Sequence, residues 1–330
     1  MTSSSFSRRG DIASFLAMDV MREANQLQQT GQNICHLEVG QPSTKAPQVV
    51  LDAARYAIDS ELIGYTDALG FDDLRQALSA YYHTTYKVDV APERFVITTG
   101  SSAGFVLSFL ACLDAGQKVA VTAPGYPAYT NIIQSLDLTP VTIASGQENN
   151  WTLTTDDLRD AEKTHGAIDA LLIASPANPT GTMLSKHALT ELSLDCSHAG
   201  RWFFSDEIYH GLTYAQEATS ALQVGDHNRL IVMNSFSKYF SMTGWRIGWM
   251  IVPPQMVRVV ERLQQNLFIS APTLSQYAAC AALSQSAQDE LQKHVELYRH
   301  NRDKLIACLQ DKGLTDIAPA DGAFYLYADL

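Results

Sequence analysis

The run Asn234-Ser-Phe-Ser-Lys-Tyr-Phe-Ser-Met-Thr-Gly-Trp-Arg246 brings unlike chemistries into a short span. Lys238 stands among Phe236, Tyr239 and Phe240, with Ser235 and Ser237 just before it and no carboxylate within five positions. A lysine drawn out of water loses part of its preference for the charged form, so its amine becomes available as a nucleophile or base. Hydroxyls and a planar, bidentate cation, here Ser235, Ser237 and Arg246, are what a phosphate group needs. Amine plus phosphate cradle points to pyridoxal 5'-phosphate held as a Schiff base on Lys238. An ordinary boundary lysine in a turn is the bland alternative, and the elements that must position these groups decide between them.

From Phe95 onward the pattern alternates strand and helix, the mark of a mostly parallel sheet covered on both faces. Strands are expected at Phe95–Thr99, Lys118–Thr122, Leu138–Ile143, Ala170–Ala174, Trp202–Asp206, Leu230–Met233 and Ile247–Val252. Helical patterns cover Ile12–Leu27, Pro47–Ser60, Phe71–Tyr82, Ser185–His198 and most of Pro254–Leu309, while Ile34–Val39 and Gly322–Tyr327 read as strands.

Ligands of open α/β sheets bind beyond the carboxyl ends of the strands. Gly100, Ser101 and Ser102 lie there at a helix N-terminus, where free N–H groups favour an anion. Tyr126, Asn178, Asp206 and Tyr209 follow other strand ends, and Lys238 and Arg246 the next. Asp206 would keep a pyridine nitrogen protonated, Tyr126 would stack on the ring, and Asn178 and Tyr209 would bond its hydroxyl oxygen. Gly100, Ser101, Ser102, Ser235, Ser237 and Arg246 would hold the phosphate, and Lys238 would shuttle the proton. Singly these are commonly a cap, a packing ring or a loop; jointly they describe a site.

In this order the segments Glu38-Val-Gly-Gln-Pro42, Gly64-Tyr-Thr66, Thr99-Gly-Ser-Ser102, Pro124-Gly-Tyr-Pro127, Ala177-Asn-Pro-Thr-Gly181, Ser205-Asp-Glu-Ile-Tyr209, Ser235-Phe-Ser-Lys238, Gly244-Trp-Arg-Ile-Gly248 and Gly322-Ala-Phe-Tyr325 resemble the class I/II aminotransferases of the aspartate aminotransferase fold type. The resemblance implies amino-group exchange between an α-amino acid and a 2-oxo acid, with Lys238, Asp206 and Tyr209 as the catalytic residues. It implies a homodimer in which Tyr65 reaches the neighbour's cofactor phosphate, and a substrate carboxylate meeting Gly40. It also implies an α/β fold: a three-layer αβα cofactor domain at 46–284, an N-terminal arm at 1–45 belonging to a small domain, and the start of that α+β domain at 285–330. Family members continue past the Gly-Ala-Phe-Tyr segment, with an arginine there for the substrate α-carboxylate. Leu330 stands five residues beyond Tyr325, so a truncated small domain and poor turnover are expected.

Composition narrows the rest. With 330 residues, 46% hydrophobic and 18% charged, the chain can build a large core, and its net charge of −12 disfavours nucleic acid and anionic membrane as partners. Five scattered cysteines fit reduced thiols in a cytoplasmic protein, and no metal site is expected. Ser7-Arg8-Arg9 resembles a twin-arginine signal, but Asp11 and Asp19 interrupt the short apolar segment after it, and export is not expected.

Three rival readings have a residue basis. Gly100-Ser-Ser-Ala-Gly104 matches a nucleophile elbow, so an α/β-hydrolase would use Ser102 with Asp206 and His227, though no Gly-rich oxyanion segment precedes the serine. A cofactor-binding regulator would need a DNA-binding helix-turn-helix before Gly40, where there is little room. A degenerate relic would bind cofactor and do little else.

Overall fold

The computed structural model describes residues 6–225 and 228–328; His227 and Leu330 lie outside them. Strands β1 (Phe95–Thr98), β2 (Lys118–Ala123), β3 (Thr139–Ala144), β4 (Ala170–Ala174), β5 (Trp202–Asp206), β6 (Leu230–Ser235) and β7 (Gly248–Ile251) form one sheet in the order β1-β7-β6-β5-β4-β2-β3. The pairs β2/β3, β2/β4, β4/β5 and β5/β6 are parallel, while β7 is antiparallel to both β6 and β1. The strands other than the edge strand β3, whose Val141 and Ile143 alternate with exposed Thr142 and Ala144, lack polar alternation because both faces are covered. Leu230 and Val232 of β6 join one apolar cluster and Ile231 and Met233 the other. Trp249 and Ile251 of β7 likewise separate from Met250.

Helix α4 (Gly100–Cys112) is apolar on nearly all sides and packs against the sheet with α5 (Pro127–Ser135) and α8 (Val257–Leu267). A helix with no polar face is stable only when surrounded, and here Leu107 and Phe109 are wholly buried. Helices on the other face include α2 (Gln48–Ser60), α3 (Asp72–Tyr86), α6 (Thr155–His165), α7 (Lys186–His198) and α9 (Thr273–Ala282). Thr154 and Asp157 form a capping box at the start of α6, satisfying two orphan N–H groups. The flanks of the chain contribute α1 (Leu16–Gln29) and the long α10 (Gln285–Asp311).

Topology creates the site. Because β7 reverses twice against its neighbours, β1 points the same way as the parallel strands. The carboxyl ends of β1, β2, β4, β5 and β6 therefore share one edge with the start of β7, so residues far apart in sequence converge there.

Three expectations are corrected. Helix α1 begins at Leu16, not Ile12, because the Ala13 carbonyl is turned aside to accept from Asn131 Nδ2 at 3.1 Å. Ile34–Val39 is not a strand: it has no neighbour to pair with among the described residues and ends in a tight Val39–Gln41 turn. Gly322–Tyr327 makes only isolated bridges, Gly322 to Thr213 and Ala328 to Ile317, rather than a ladder. Of the cysteines, Cys196 is buried but Cys35 and Cys308 are exposed; all five are free. Among the described residues no helix is long and apolar enough to cross a membrane.

Candidate active site

A cavity of about 540 Å³ opens at the shared strand edge, walled by Ser101, Ser102, Tyr126, Asn178, Asp206, Tyr209, Ser237, Lys238 and Arg246. Gly40 reaches it from the N-terminal arm and Tyr325 from the far end of the chain.

Lys238 follows β6 and donates from Nζ to the Gly40 carbonyl at 2.6 Å. Its ammonium lies 5.8 Å from the ring centres of Tyr209 and Phe324. Burial, reinforced by the positive charge of Arg246 and opposed by Asp206, lowers its pKa to about 8. Asp206 is buried at the end of β5, where Oδ1 accepts from the Ile208 N–H at 3.0 Å and Oδ2 from the Tyr129 hydroxyl. Burial raises this carboxyl to about 6 against the pull of those two donors and of Lys238. A nucleophilic amine and a carboxylate thus line one cavity.

Arg246 occupies the left-handed region at φ 49°, a conformation that costs a non-glycine residue about 1–2 kcal/mol and that β7 holds in place. Its Nη1 donates to the Thr243 carbonyl at 3.0 Å and reaches Ser237 Oγ at 3.5 Å. Gly100 faces it: a Cβ there would stand 2.3 Å from Arg246 Nη2, and the backbone φ of +69° excludes most other residues. Gly100→Ala is expected to displace the guanidinium and weaken binding of a phosphate-bearing cofactor by roughly tenfold or more, the effect of one charge-assisted bond. Titration of the cofactor's absorbance against protein checks this, and an unchanged affinity would contradict it.

Three residues expected at the site are not on the cavity wall: Ser235, Tyr65 and Gly100, which stands behind Arg246. Ser235 lies behind the wall, because its hydroxyl donates to the Ile247 carbonyl at 3.0 Å and lies 2.9 Å from Ser237 Oγ. It orients Ser237 instead of facing the cavity. Tyr65 is 84% exposed, on a loop beside Ile269 and Ser270.

Other residues joined the site unforeseen. Tyr325 Oη is hydrogen-bonded to Tyr209 Oη at 2.6 Å and accepts from Asn178 Nδ2 at 3.3 Å. Tyr129, the donor to Asp206, follows Tyr126, the N-cap of α5, by three positions; that spacing sets the two rings side by side and could have revealed it. Phe15 meets Tyr126 edge-on at 5.5 Å.

Glu207 points away from the cavity. Its Oε1 accepts from Ser205 Oγ (3.2 Å), Ser220 Oγ (3.0 Å) and the Ala221 N–H (2.8 Å), tying β5 to the following turn. Its Oε2 has no hydrogen-bond partner and lies 3.5 Å from His210 Nδ1. His210 Nε2 donates to the Ser175 carbonyl at 3.0 Å, which leaves Nδ1 to accept from Tyr86 Oη at 2.9 Å. Burial pushes Glu207 up to about 8 and His210 down to about 3. The folded protein thus keeps a proton on Glu207 that the unfolded chain has released, so stability is lost as pH rises toward 8. His210 acts oppositely, but only below its ordinary value of 6.5. Between pH 6.5 and 8 the apoprotein should therefore lose up to about 1.4 kcal/mol per pH unit. Glu207→Gln should flatten this slope; denaturant melts at both pH values measure it.

The chain matches the family described as aminotransferase class I and II over residues 32–330. A valine–pyruvate aminotransferase from Mycobacterium tuberculosis is 40% identical over 322 residues, spanning 98% of this chain and 82% of that protein. The crystal structure of an aminotransferase from Mycobacterium tuberculosis is similar at a TM-score of 0.94 and 40% identity, covering 99% of this chain and 84% of that one. Aspartate aminotransferase from Thermus thermophilus, solved with maleate, has a TM-score of 0.92 at 28% identity, covering 98% and 84%. The chain belongs to the class I and II aminotransferases. It is a pyridoxal-phosphate-dependent transaminase, acting on an amino acid and a 2-oxo acid. The hydrolase and relic readings are not favoured; Asp206 accepts from the Tyr129 hydroxyl and the Ile208 N–H, and His227 lies outside the described residues.

Proposed function

We propose that the cavity at the strand edge is the transamination site and that Lys238, Asp206 and Tyr209 carry the reaction. The observation that carries this is that a desolvated Lys238 amine and a buried Asp206 carboxylate line the same cavity. The lining suits pyridoxal phosphate in its donor set. Ser101, Ser102, Ser237 and Arg246, at the start of α4 and beside the Gly100 backbone, make an anion cradle; Asp206 supplies the carboxylate a pyridinium needs. Bound there, the cofactor supplies an electron sink for the carbanion formed at the substrate's α-carbon.

The chain's own groups do the rest. Tyr126 offers a ring face, edge-braced by Phe15 and Tyr129. Asn178 and Tyr209, held together by Tyr325 Oη, present donors to a ring oxygen. Lys238 Nζ, once free of covalent attachment, is the base that takes the α-proton and returns it, a task suited to an amine with a pKa near the working pH. The Gly40 backbone, which Nζ touches, borders the place where the amino-acid carboxylate enters. Residues 46–284 would form the cofactor domain, with 1–45 and 285–330 closing over it. Incubation of holoprotein with amino acids should discharge its visible cofactor band; persistence with every amino acid would refute the function.

We also propose a cytoplasmic homodimer. Leu62, Ile58 and Tyr56 are exposed near Tyr65, an apolar surface suited to a second copy. Tyr65→Ala should lower cofactor affinity severalfold while sedimentation still reports a dimer; a monomeric wild type would refute the arrangement.

A further inference from the structure

Behind the cavity a buried chain of hydrogen bonds runs from α3 to the loop that follows β4, and His210 is its middle member. The imidazole is 3% exposed and is not part of the cavity lining. Its Nε2 meets the Ser175 carbonyl at 3.0 Å, and a carbonyl can only accept, so Nε2 carries the proton. In the neutral ring Nδ1 is then an acceptor, and Tyr86 Oη donates to it at 2.9 Å. Glu207 Oε2, 3.5 Å from the same nitrogen, makes no hydrogen bond among the described residues. The ring therefore ties a tyrosine of α3 to the first residue of the loop at 175–182.

That loop carries Asn178 to the cavity. Ser175 is its anchor: its N–H donates to the Asp206 carbonyl at 3.2 Å and its Oγ accepts from the Leu184 N–H at 3.0 Å, while its carbonyl is taken by His210. Within the loop the Ala177 N–H donates to the Thr182 carbonyl at 2.9 Å and the Gly181 N–H to the Ala177 carbonyl at 2.8 Å. These bonds make 175–182 a compact turn, so a rotation of the peptide at Ser175 is passed on to Asn178 three positions later. The contacts of the Ser175 N–H and Oγ fix where the loop begins; that of its carbonyl fixes the tilt with which the loop leaves the sheet. Asn178 has little slack. Its Nδ2 reaches Tyr325 Oη at 3.3 Å and Tyr209 Oη at 3.5 Å, both near the limit of hydrogen-bond length.

We infer that His210 is a positioning residue for transamination: by holding the Ser175 carbonyl while Tyr86 of α3 holds the ring, it sets the tilt of the 175–182 loop and aims the Asn178 amide at the cofactor's ring oxygen. This rests on the transaminase site proposed above and adds a residue to it that touches neither cofactor nor substrate. Tyr209 and His210 are consecutive, so the turn after β5 presents one side chain to the ring oxygen and the next to the loop that bears the second donor. A misplacement of about 1 Å at such a group can lower a rate about 10²-fold.

The test reads the pH at which the visible cofactor band of the holoprotein changes form. A donor on the ring oxygen favours that oxygen ionised, so withdrawing Asn178 should raise the transition. His210→Phe keeps a ring of similar size but removes both hydrogen bonds. Its transition should rise by about half a pH unit or more, a spectral change that a merely structural role would not produce. Asn178→Ala should raise the transition by itself, and His210→Phe added to it should change little more, the non-additivity of residues that act through one another. Tyr86→Phe leaves the histidine in place with one bond lost; it should shift the transition the same way by less, and it carries the test if His210→Phe does not fold. An unmoved transition in the folded variant overturns the inference. So does a full further shift on the Asn178→Ala background. An unmoved transition in Asn178→Ala also overturns it, and discharge of the band by amino acids would then leave the transaminase reading standing. A band that no amino acid discharges removes the site assignment and this inference together.

Discussion

Lys238→Ala should abolish transamination, lowering turnover by at least about 10⁴-fold, because one side chain serves as covalent anchor and as proton carrier. Borohydride should then no longer fix the cofactor to the protein, although the phosphate cradle at Ser101, Ser102 and Arg246 can still bind it reversibly. Lys238→Arg separates charge from nucleophilicity: it keeps a cation in the cavity that Asp206 also lines but replaces the amine with a guanidinium that stays protonated. Both variants should fail alike. A variant that retains a reducible link would show that another lysine is the anchor. The pH dependence has its origin in the same environment. With its pKa lowered to about 8, the apoprotein's Lys238 is mostly charged below that value and mostly free above it. Covalent capture of cofactor should therefore rise about tenfold per unit up to pH 8 and then level off. An ordinary lysine would keep rising toward about 10.4.

Asp206→Asn should be the second most damaging change. The carboxylate is buried and meets Tyr129 and the Ile208 N–H, so asparagine can occupy the same space but not supply the charge. Breaking a buried charge pair costs about 3–5 kcal/mol, which is roughly 10²- to 10⁴-fold in rate. Cofactor should still attach to Lys238, so the loss belongs to turnover rather than to covalent capture. Tyr129→Phe serves as the graded comparison. It removes one donor that favours ionised Asp206, so the carboxyl should be harder to ionise and activity should fall by a smaller factor, with its acid limb shifted upward in pH. Asp206→Asn turning over within about threefold of the unaltered enzyme would remove Asp206 from the mechanism, since so small a loss is under 1 kcal/mol.

Much of this was legible before folding was considered. Apolar runs such as Leu230–Met233 announce strands covered on both faces, and Gly100-Ser101-Ser102 announces a helix start that welcomes an anion. The failures have local causes. Ile34–Val39 alternates like a strand, yet a strand exists only by pairing, and among the described residues no partner lies beside it. Gly322–Tyr327 fails for the same reason, and its Tyr325 instead turns inward to join Tyr209. Ser235 and Ser237 are indistinguishable in sequence; the β6–β7 pairing commits Ser235 to Ile247 and leaves Ser237 to face the cavity.

By itself, then, the amino-acid order determined which groups are available: one amine among aromatics, a strand-ending carboxylate, hydroxyls at a helix start and an arginine after a glycine. These follow from side-chain type and from the short-range rules of caps, turns and periodicity. Only the tertiary structure decided which groups meet. The twice-reversed β7 carries Arg246 to the edge where β1 delivers Gly100. Burial there moves Lys238 and Asp206 toward each other in pKa, and the N-terminal segment lays Phe15 against Tyr126. Those outcomes depend on desolvation and on contacts between residues more than a hundred positions apart, and no local spacing encodes either.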